Sequence, residues 1–437
     1  MKDFNTFDLH PDVAAGAAAA GYTTPTPIQA QAIPMVLEGR DVMGLAQTGT
    51  GKTAAFALPI LNRLIKGRRG VLRALIVAPT RELAEQIHDA IGVLGRKTRL
   101  RSATTYGGVN INPQINQLRR GVDMLVACPG RLLDHIGRGT VDLSRLEVLV
   151  LDEADHMFDM GFLPDIRRII AKSPQKRQTL LFSATMPQEI RHLSMDTLTD
   201  PITVKVGRTA PVETVSHALY PVAHHLKTAM LIKLLGSIHT ESVLVFTRTK
   251  HRAKHLGVKL SKAGYNSTSL QGNLSQNRRK AALDGFRDGT FHILVATDIA
   301  ARGIDVTQVS HVINYDIPDT PEAYIHRIGR TGRATRTGDA FTLATDDDQS
   351  MVRSIEGLLG GRIERKHVDD FDYQVPATER NLKLSRTLRT PNRKRRPTVT
   401  VETKKTRGTR PRRTFSNPLK VNRRTPRRSS STIPAAA

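Results

Sequence analysis

Short aliphatic runs, each ending in Gly, Pro, Thr or Asp, recur along the chain with segments of helical spacing between them. In the first half they cover 41–45, 74–78, 124–127, 148–151 and 179–182, and in the second 243–246, 293–296, 311–315 and 340–343. Continuously apolar strands that alternate with helices predict α/β folding, with parallel sheets covered on both faces. The series pauses where Gly207-Arg208-Thr209-Ala210-Pro211 reads as a linker. Two α/β domains are therefore expected, over 1–207 and 214–366, joined by 208–213. In such sheets ligands bind at the carboxyl ends of the strands, where the polar punctuation falls in both halves.

The pattern is lost toward the C-terminus. Beyond Pro376, Arg, Lys, Thr, Ser and Pro dominate and Phe415 is the only aromatic residue. That composition buries too little surface to offset chain entropy, so a basic, disordered tail is expected over 367–437. Charge sharpens the division. Residues 378–437 hold 19 Lys or Arg against two acidic residues, a net of +17, which leaves +9 of the chain's +26 for everything before them. Such an excess points to polyanionic partners, chiefly nucleic acid.

Other classes are disfavoured. Cys128 is the single cysteine, which excludes an internal disulfide and a Cys-rich zinc site. The small-residue run 14–20 follows Asp3, Asp8 and Asp12 and is interrupted by Gly16, unlike a secretory leader. No stretch reaches the ~18 to 20 apolar residues that span a bilayer. The expectation is a cytoplasmic, monomeric protein without a membrane partner.

Two constellations carry chemistry. Ala46-Gln47-Thr48-Gly49-Thr50-Gly51-Lys52-Thr53 matches a phosphate-binding loop, with Ala46 where Gly is usual, and lies between an apolar strand and a helix expected over 53–65. Gly49 and Gly51 let backbone N–H groups turn toward phosphates at a helix N-terminus. Lys52 is suited to the β- and γ-oxygens, and the Thr53 hydroxyl to Mg²⁺. The run 148–151 ends in Asp152-Glu153-Ala154-Asp155. Charge beside a core is costly unless something pairs with it, and a Mg²⁺ ion held by Asp152 would do so, with Glu153 placed to orient or deprotonate a water. The pair predicts Mg²⁺–nucleotide chemistry.

Asp152-Glu153-Ala154-Asp155 resembles the signature of the DEAD-box RNA helicases of superfamily 2, and further motifs from Phe4 to Thr345 follow that family's order, nearest in likeness to bacterial RhlE-type members. The resemblance implies two tandem RecA-like domains: a helicase ATP-binding domain and a helicase C-terminal domain. The stretch from Gly21 to Gln29 is similar to the Q motif, so Gln29 is expected to read adenine and Phe4 to stack on it. Ser183-Ala184-Thr185 resembles the motif linking hydrolysis to strand separation, which implies interdomain coupling through Asp155, Ser183, Thr185 and His326.

The segment from His326 to Arg333 resembles the arginine-finger motif. By that likeness Arg330 and Arg333 reach the γ-phosphate and Asp305 the ribose; an inserted guanidinium is worth ~10³ to 10⁵ in rate. Because the fingers lie on the second domain, catalysis is expected to require closure of the cleft.

Several turns at strand ends match the family's RNA contacts: Pro79, Thr80 and Arg81; Gly107 and Gly108; Pro129, Gly130 and Arg131; Arg279; and Thr297. Amides, hydroxyls and guanidinium groups of this kind hold phosphates without reading bases. The implied activity is RNA-stimulated ATP hydrolysis that unwinds or remodels RNA locally, on ribosomal precursors or within RNA-decay machinery. An ATP-gated RNA clamp and a DNA helicase are the alternatives. Three departures stand out. The run 14–20 is Ala-rich where large apolars are usual, predicting a loosely held helix for Phe4. Cys128 replaces a frequent Thr, predicting the loss of a hydroxyl contact to RNA, and Thr335 replaces a common Gly.

Overall fold

The computed structural model describes residues 3–47, 49–206, 215–238, 242–301, 309–332 and 338–377. The first seven strands are β1 (Val42–Leu45), β2 (Ala74–Val77), β3 (Ser102–Thr105), β4 (Met124–Ala127), β5 (Val148–Leu151), β6 (Gln178–Ser183) and β7 (Ile202–Lys205). They form one parallel sheet in the order β3-β4-β2-β5-β6-β1-β7. The second seven are β8 (Val215–Pro221), β9 (Val243–Phe246), β10 (Ser267–Leu270), β11 (Ile293–Ala296), β12 (His311–Asn314), β13 (Gly338–Ala344) and β14 (Glu364–Arg365). These are also parallel, in the order β10-β11-β9-β12-β13-β8-β14. Counted within each half, the two orders are identical, so the chain is a tandem repeat of one RecA-like topology.

Every apolar run predicted from the sequence is a strand. Helices cover both faces of the first sheet, and buried side chains alternate between two cores. Ile76, Val126 and Val150 point to one, Leu75, Leu125 and Leu149 to the other. A strand apolar on both sides leaves no polar face in the sequence. Because all strands run parallel, the loops after β1, β2, β3, β4, β5 and β6 gather on one edge.

The Ala-rich segment is held more closely than expected. It forms the helix Pro11–Ala19, with Val13, Gly16 and Ala17 buried. A Cβ on Gly16 would stand 2.0 Å from the Leu94 carbonyl oxygen, at the end of the helix Arg81–Leu94. Small side chains here permit close helix approach rather than loose packing. Phe4 is not on this helix but on the 3-10 turn Phe4–Phe7, edge-on to Phe7 at 5.5 Å and to Tyr22 at 5.6 Å.

Packing also continues beyond residue 366, the expected end of the second domain. Val368, Phe371 and Tyr373 lie against its core, and His225 Nε2 donates a 2.7 Å hydrogen bond to the Val375 carbonyl. Aromatic and aliphatic residues in 367–377 supply the burial that the later composition lacks. The linker 208–213 and the basic segment from 378 onward lie outside the described residues. Among the described residues no helix is long and apolar enough to cross a membrane.

Candidate functional site

The phosphate loop follows β1 and leads into the helix Lys52–Leu64. Gly49 and Gly51 both have positive φ, 84° and 94°. Gly51 has a second reason to lack a side chain, since a Cβ there would meet Gln29 Nε2 at 2.4 Å. Gln29 instead donates from Nε2 to the Gly51 carbonyl at 3.0 Å and accepts from the Thr26 amide at 2.9 Å, while Thr26 Oγ1 donates to the Thr50 carbonyl. The loop closes on itself: Thr50 Oγ1 donates to the Gln47 carbonyl and Lys52 Nζ to the Ala46 carbonyl, at 2.8 and 3.0 Å.

Across the sheet edge, β5 delivers Asp152, Glu153 and Asp155, all about 2% exposed. Glu153 takes a left-handed backbone, φ 51°, as the residue before the short helix Ala154–Asp159, a conformation retained only where the surroundings enforce it. Its amide donates to Asp152 Oδ1, and its Oε2 accepts a 2.9 Å hydrogen bond from His156 Nδ1. Burial pushes the Asp152 carboxyl up to about 6, aided by Glu153 and opposed by Lys52. Burial acts on Glu153 in the same direction, but His156, Lys52 and Arg330 outweigh it and hold that carboxyl well below the ordinary range. Asp155 is likewise depressed: burial opposes ionisation, and His156, His326, Lys52 and the Thr185 amide overcome it.

Asp155 is also the hub of the Ser183–Thr185 turn. Its Oδ2 accepts from the Ala184 amide, the Thr185 amide and Thr185 Oγ1 at 3.1, 2.8 and 2.9 Å, and the Asp155 amide donates to Ser183 Oγ. The neighbouring His156 ring meets His326 of the second domain edge-on, with centroids 4.8 Å apart. The carboxylate cluster therefore touches the segment that carries Arg330, which is 4% exposed.

A cavity of about 620 Å³ opens between the two domains. Pro79, Thr80, Arg81, Gly107, Gly130 and Arg131 line it from one side, Thr297 and Arg279 from the other. The Arg81 guanidinium lies against Gly108, and Pro129 begins the helix Pro129–Gly137 behind it. Arg131 Nη2 donates to the Val109 carbonyl, while its Nη1 is buried without a partner among the described residues. Cys128 lines the cavity too; burial pushes its thiol up to about 12, leaving a small neutral group in the wall.

Comparison with known proteins agrees with this geometry. The DEAD/DEAH box helicase family model matches residues 26–193, and the helicase conserved C-terminal domain model matches 226–335. The DEAD-box ATP-dependent RNA helicase CshA of Bacillus subtilis is 42% identical over 370 residues, 84% of this chain and 75% of that protein. The CshA of Geobacillus kaustophilus is 42% identical over 381 residues, 87% of this chain and 81% of that one. The structure of S. cerevisiae Dbp5 bound to RNA and ADP BeF3 matches with a TM-score of 0.75 at 30% identity, covering 85% of this chain and 97% of that one.

The chain belongs to the DEAD-box ATP-dependent RNA helicases. As a member of this family it is an enzyme that hydrolyses ATP and acts on RNA, and family membership favours the helicase over the clamp and the DNA helicase. The relatives named here are CshA proteins; the RhlE-type likeness is a finer distinction than these matches draw.

Some site expectations fall outside the described residues: Thr48, Asp305, Arg333 and the departure at Thr335. Arg279 lines the cavity and is also engaged by protein groups. Its Nε donates to Glu82 Oε1 at 2.6 Å and its Nη1 to the Gln271 carbonyl, so this guanidinium joins the domains. Four further residues belong to the site. Arg248 and Lys250 line the cavity, and their place just after a predicted strand was the available signal. Glu82 gave none, because its partner is distant in the chain. Arg327, within the His326–Arg333 segment, is 2% exposed and holds Asp298 through two bonds of 2.6 and 2.7 Å as well as Asn314 Oδ1.

Proposed function

We propose that this DEAD-box helicase hydrolyses Mg²⁺–ATP at a site divided between its domains, with Lys52, Glu153 and Arg330 as its chemical groups. The observation that carries this reading is the cluster in which Glu153, buried and ionised, lies among Lys52, His156 and Arg330. Lys52 would exchange the Ala46 carbonyl for phosphate oxygens. Gln29, fixed beside Gly51, would present its edge to adenine near Phe4. Glu153 would take a proton from the attacking water as that oxygen bonds to the γ-phosphorus and the ADP oxygen leaves. Arg330, with Arg333, would offset charge on the transferring group.

The residues present fit Mg²⁺. Asp152 and Thr53 are hard oxygen donors, and Asp152 Oδ2 has no protein hydrogen-bond donor among the described residues. No cluster of three or more His, Cys, Asp or Glu among the described residues could hold a metal alone, and Mg²⁺ bound with phosphates needs only one or two carboxylates. Bound there, the ion neutralises phosphate charge.

The RNA reading is a single strand held by its backbone in the interdomain cavity, with little sequence preference, because amides, hydroxyls and guanidinium groups line it. Glu153→Gln tests the chemistry: RNA-stimulated hydrolysis should fall by about 10² or more while ATP-dependent RNA binding persists. Near-normal turnover would remove Glu153 from the reaction.

A further inference from the structure

The helix Lys250–Lys262, which follows β9, contains no acidic residue. Its five Lys or Arg residues are more than half of the +9 that the chain holds before its basic C-terminal segment. Ala253, Leu256, Gly257 and Leu260 face the core, and Arg252 is turned toward Asp316 and His224. Lys250, Lys254, Lys259 and Lys262 are exposed, and none has an ion-pair partner among the described residues.

Helix electrostatics oppose much of this arrangement. Cations in the first turn face the positive end of the macrodipole, and Lys250 with Lys254, or Lys259 with Lys262, are like charges at spacings that bring them together. A merely solvated face mixes signs; this one carries a single sign along its whole length, and only Lys259 and Lys262, in the last turn, sit where the macrodipole favours them. The position supplies the reason. Arg248, paired with Asp319, and Lys250, the first residue of the helix, line the interdomain cavity; Lys254 follows one turn along, and Lys259 and Lys262 lie beyond the exposed Val258. Thirteen residues give about 20 Å of helix, the length of roughly six phosphates at about 3.4 Å each.

We propose that the outward face of this helix is a second RNA-binding surface, continuous with the cleft, which takes the phosphodiester backbone flanking the strand held there. The helix has no aromatic residue to stack on a base, and lysines act on phosphate as point charges. This inference rests on the reading that the cleft holds RNA. The flanking backbone could belong to the same strand or to the complementary strand of an adjoining duplex, and the test separates them.

The full-length protein carrying K254Q, K259Q and K262Q together is compared with wild type; Lys250 is left in place because it lines the cleft. Three RNAs are used: a short strand that fills only the cleft, a strand three times as long, and a duplex with the short strand as an overhang. The apparent Kd for one or both longer RNAs should rise about tenfold at low salt, with the slope of log K against log salt shallower by about 2. The short strand should stay within about twofold. Loss on the long strand alone assigns the surface to the same strand, and loss on the tailed duplex alone to the complementary one. Lys→Arg at the same three positions should behave as wild type. Equal weakening of all three RNAs, no weakening of the longer two, or a loss also seen with Arg would overturn the proposal. If the wild type fails to hold the short strand, the cleft reading falls, while the longer RNAs still decide the role of the helix.

Discussion

Arg279 Nε donates a 2.6 Å hydrogen bond to Glu82 Oε1, joining the helix Gln276–Arg287 of the second domain to the helix Arg81–Leu94 of the first. Both side chains are less than a tenth exposed. Glu82 follows Arg81, and both line the interdomain cavity with Arg279, so the pair ties domain contact to that cavity.

Removing one partner strands a buried charge, at a cost of roughly 3–5 kcal/mol. Glu82→Gln should therefore raise the RNA concentration that half-saturates ATPase by about tenfold or more, with little change in the unfolding midpoint. Combining it with Arg279→Gln should recover much of the loss, since neither charge is then stranded. Purely additive effects in an ATPase titration of the four proteins would show that the pair does not couple the domains.

Asp152 supplies a pH dependence. Burial pushes its carboxyl up to about 6, so below that pH a proton and Mg²⁺ compete for the same group. Above it the carboxylate is already ionised and no proton has to leave. The apparent affinity for Mg²⁺–ATP should weaken as pH falls through 6 and be flat above 7, and Asp152→Asn should be weak and flat throughout. Nucleotide titrations at fixed Mg²⁺ from pH 5.5 to 8 check this; a pH-independent wild type would remove Asp152 from the metal site.

Most interior strands were legible because they are apolar on both faces; the edge strands were not, and neither was β8, an interior strand whose apolar run is broken by the exposed Ser216 and half-buried His217. β3 is Ser-Ala-Thr-Thr and β10 is Ser-Thr-Ser-Leu, each at the end of its sheet, where hydroxyl side chains reach solvent and no aliphatic run forms. β7, with its exposed Thr203 and Lys205, is the other edge of the first sheet. The phosphate loop and the carboxylates could be read in advance because each is a contiguous string beside a strand. Glu82 with Arg279, and Asp298 with Arg327, could not: each pair forms only when separate strand ends reach one sheet edge or two domains meet.

The shared topology yields a comparison the sequence hides. β8 holds the place in the second sheet that β1 holds in the first, and each is followed by a helix that begins with a lysine, Lys52 or Lys227. Lys227 Nζ donates to the Tyr315 and Leu343 carbonyls and sits 3.7 Å from Asp348, so its donors are spent inside the domain. Lys227→Met keeps the bulk and leaves those acceptors unpaired, which should destabilise the protein by about 3 kcal/mol. Nucleotide affinity should be unchanged. Denaturant unfolding alongside nucleotide titration decides the matter, and a fall in affinity without a fall in stability would make Lys227 a nucleotide ligand.

Two helical glycines, Gly16 buried and Gly92 exposed, should respond with opposite sign. Helix propensity alone favours Ala over Gly by ~1 kcal/mol at either position. At Gly16 a methyl would stand 2.0 Å from the Leu94 carbonyl oxygen, whereas at Gly92, on the helix that Gly16 touches, it meets nothing within 4 Å. Overpacking costs about 1–3 kcal/mol, and at Gly16 the obstacle is backbone, which cannot rotate away. Gly16→Ala should lower Tm by about 2–6 °C, while Gly92→Ala should raise it by about 2–4 °C. Thermal unfolding of the two variants reads the difference directly. A stabilised Gly16→Ala would mean that the Ala-rich helix is loosely held after all, and that the sequence pattern predicted its packing better than its close approach to Leu94 does.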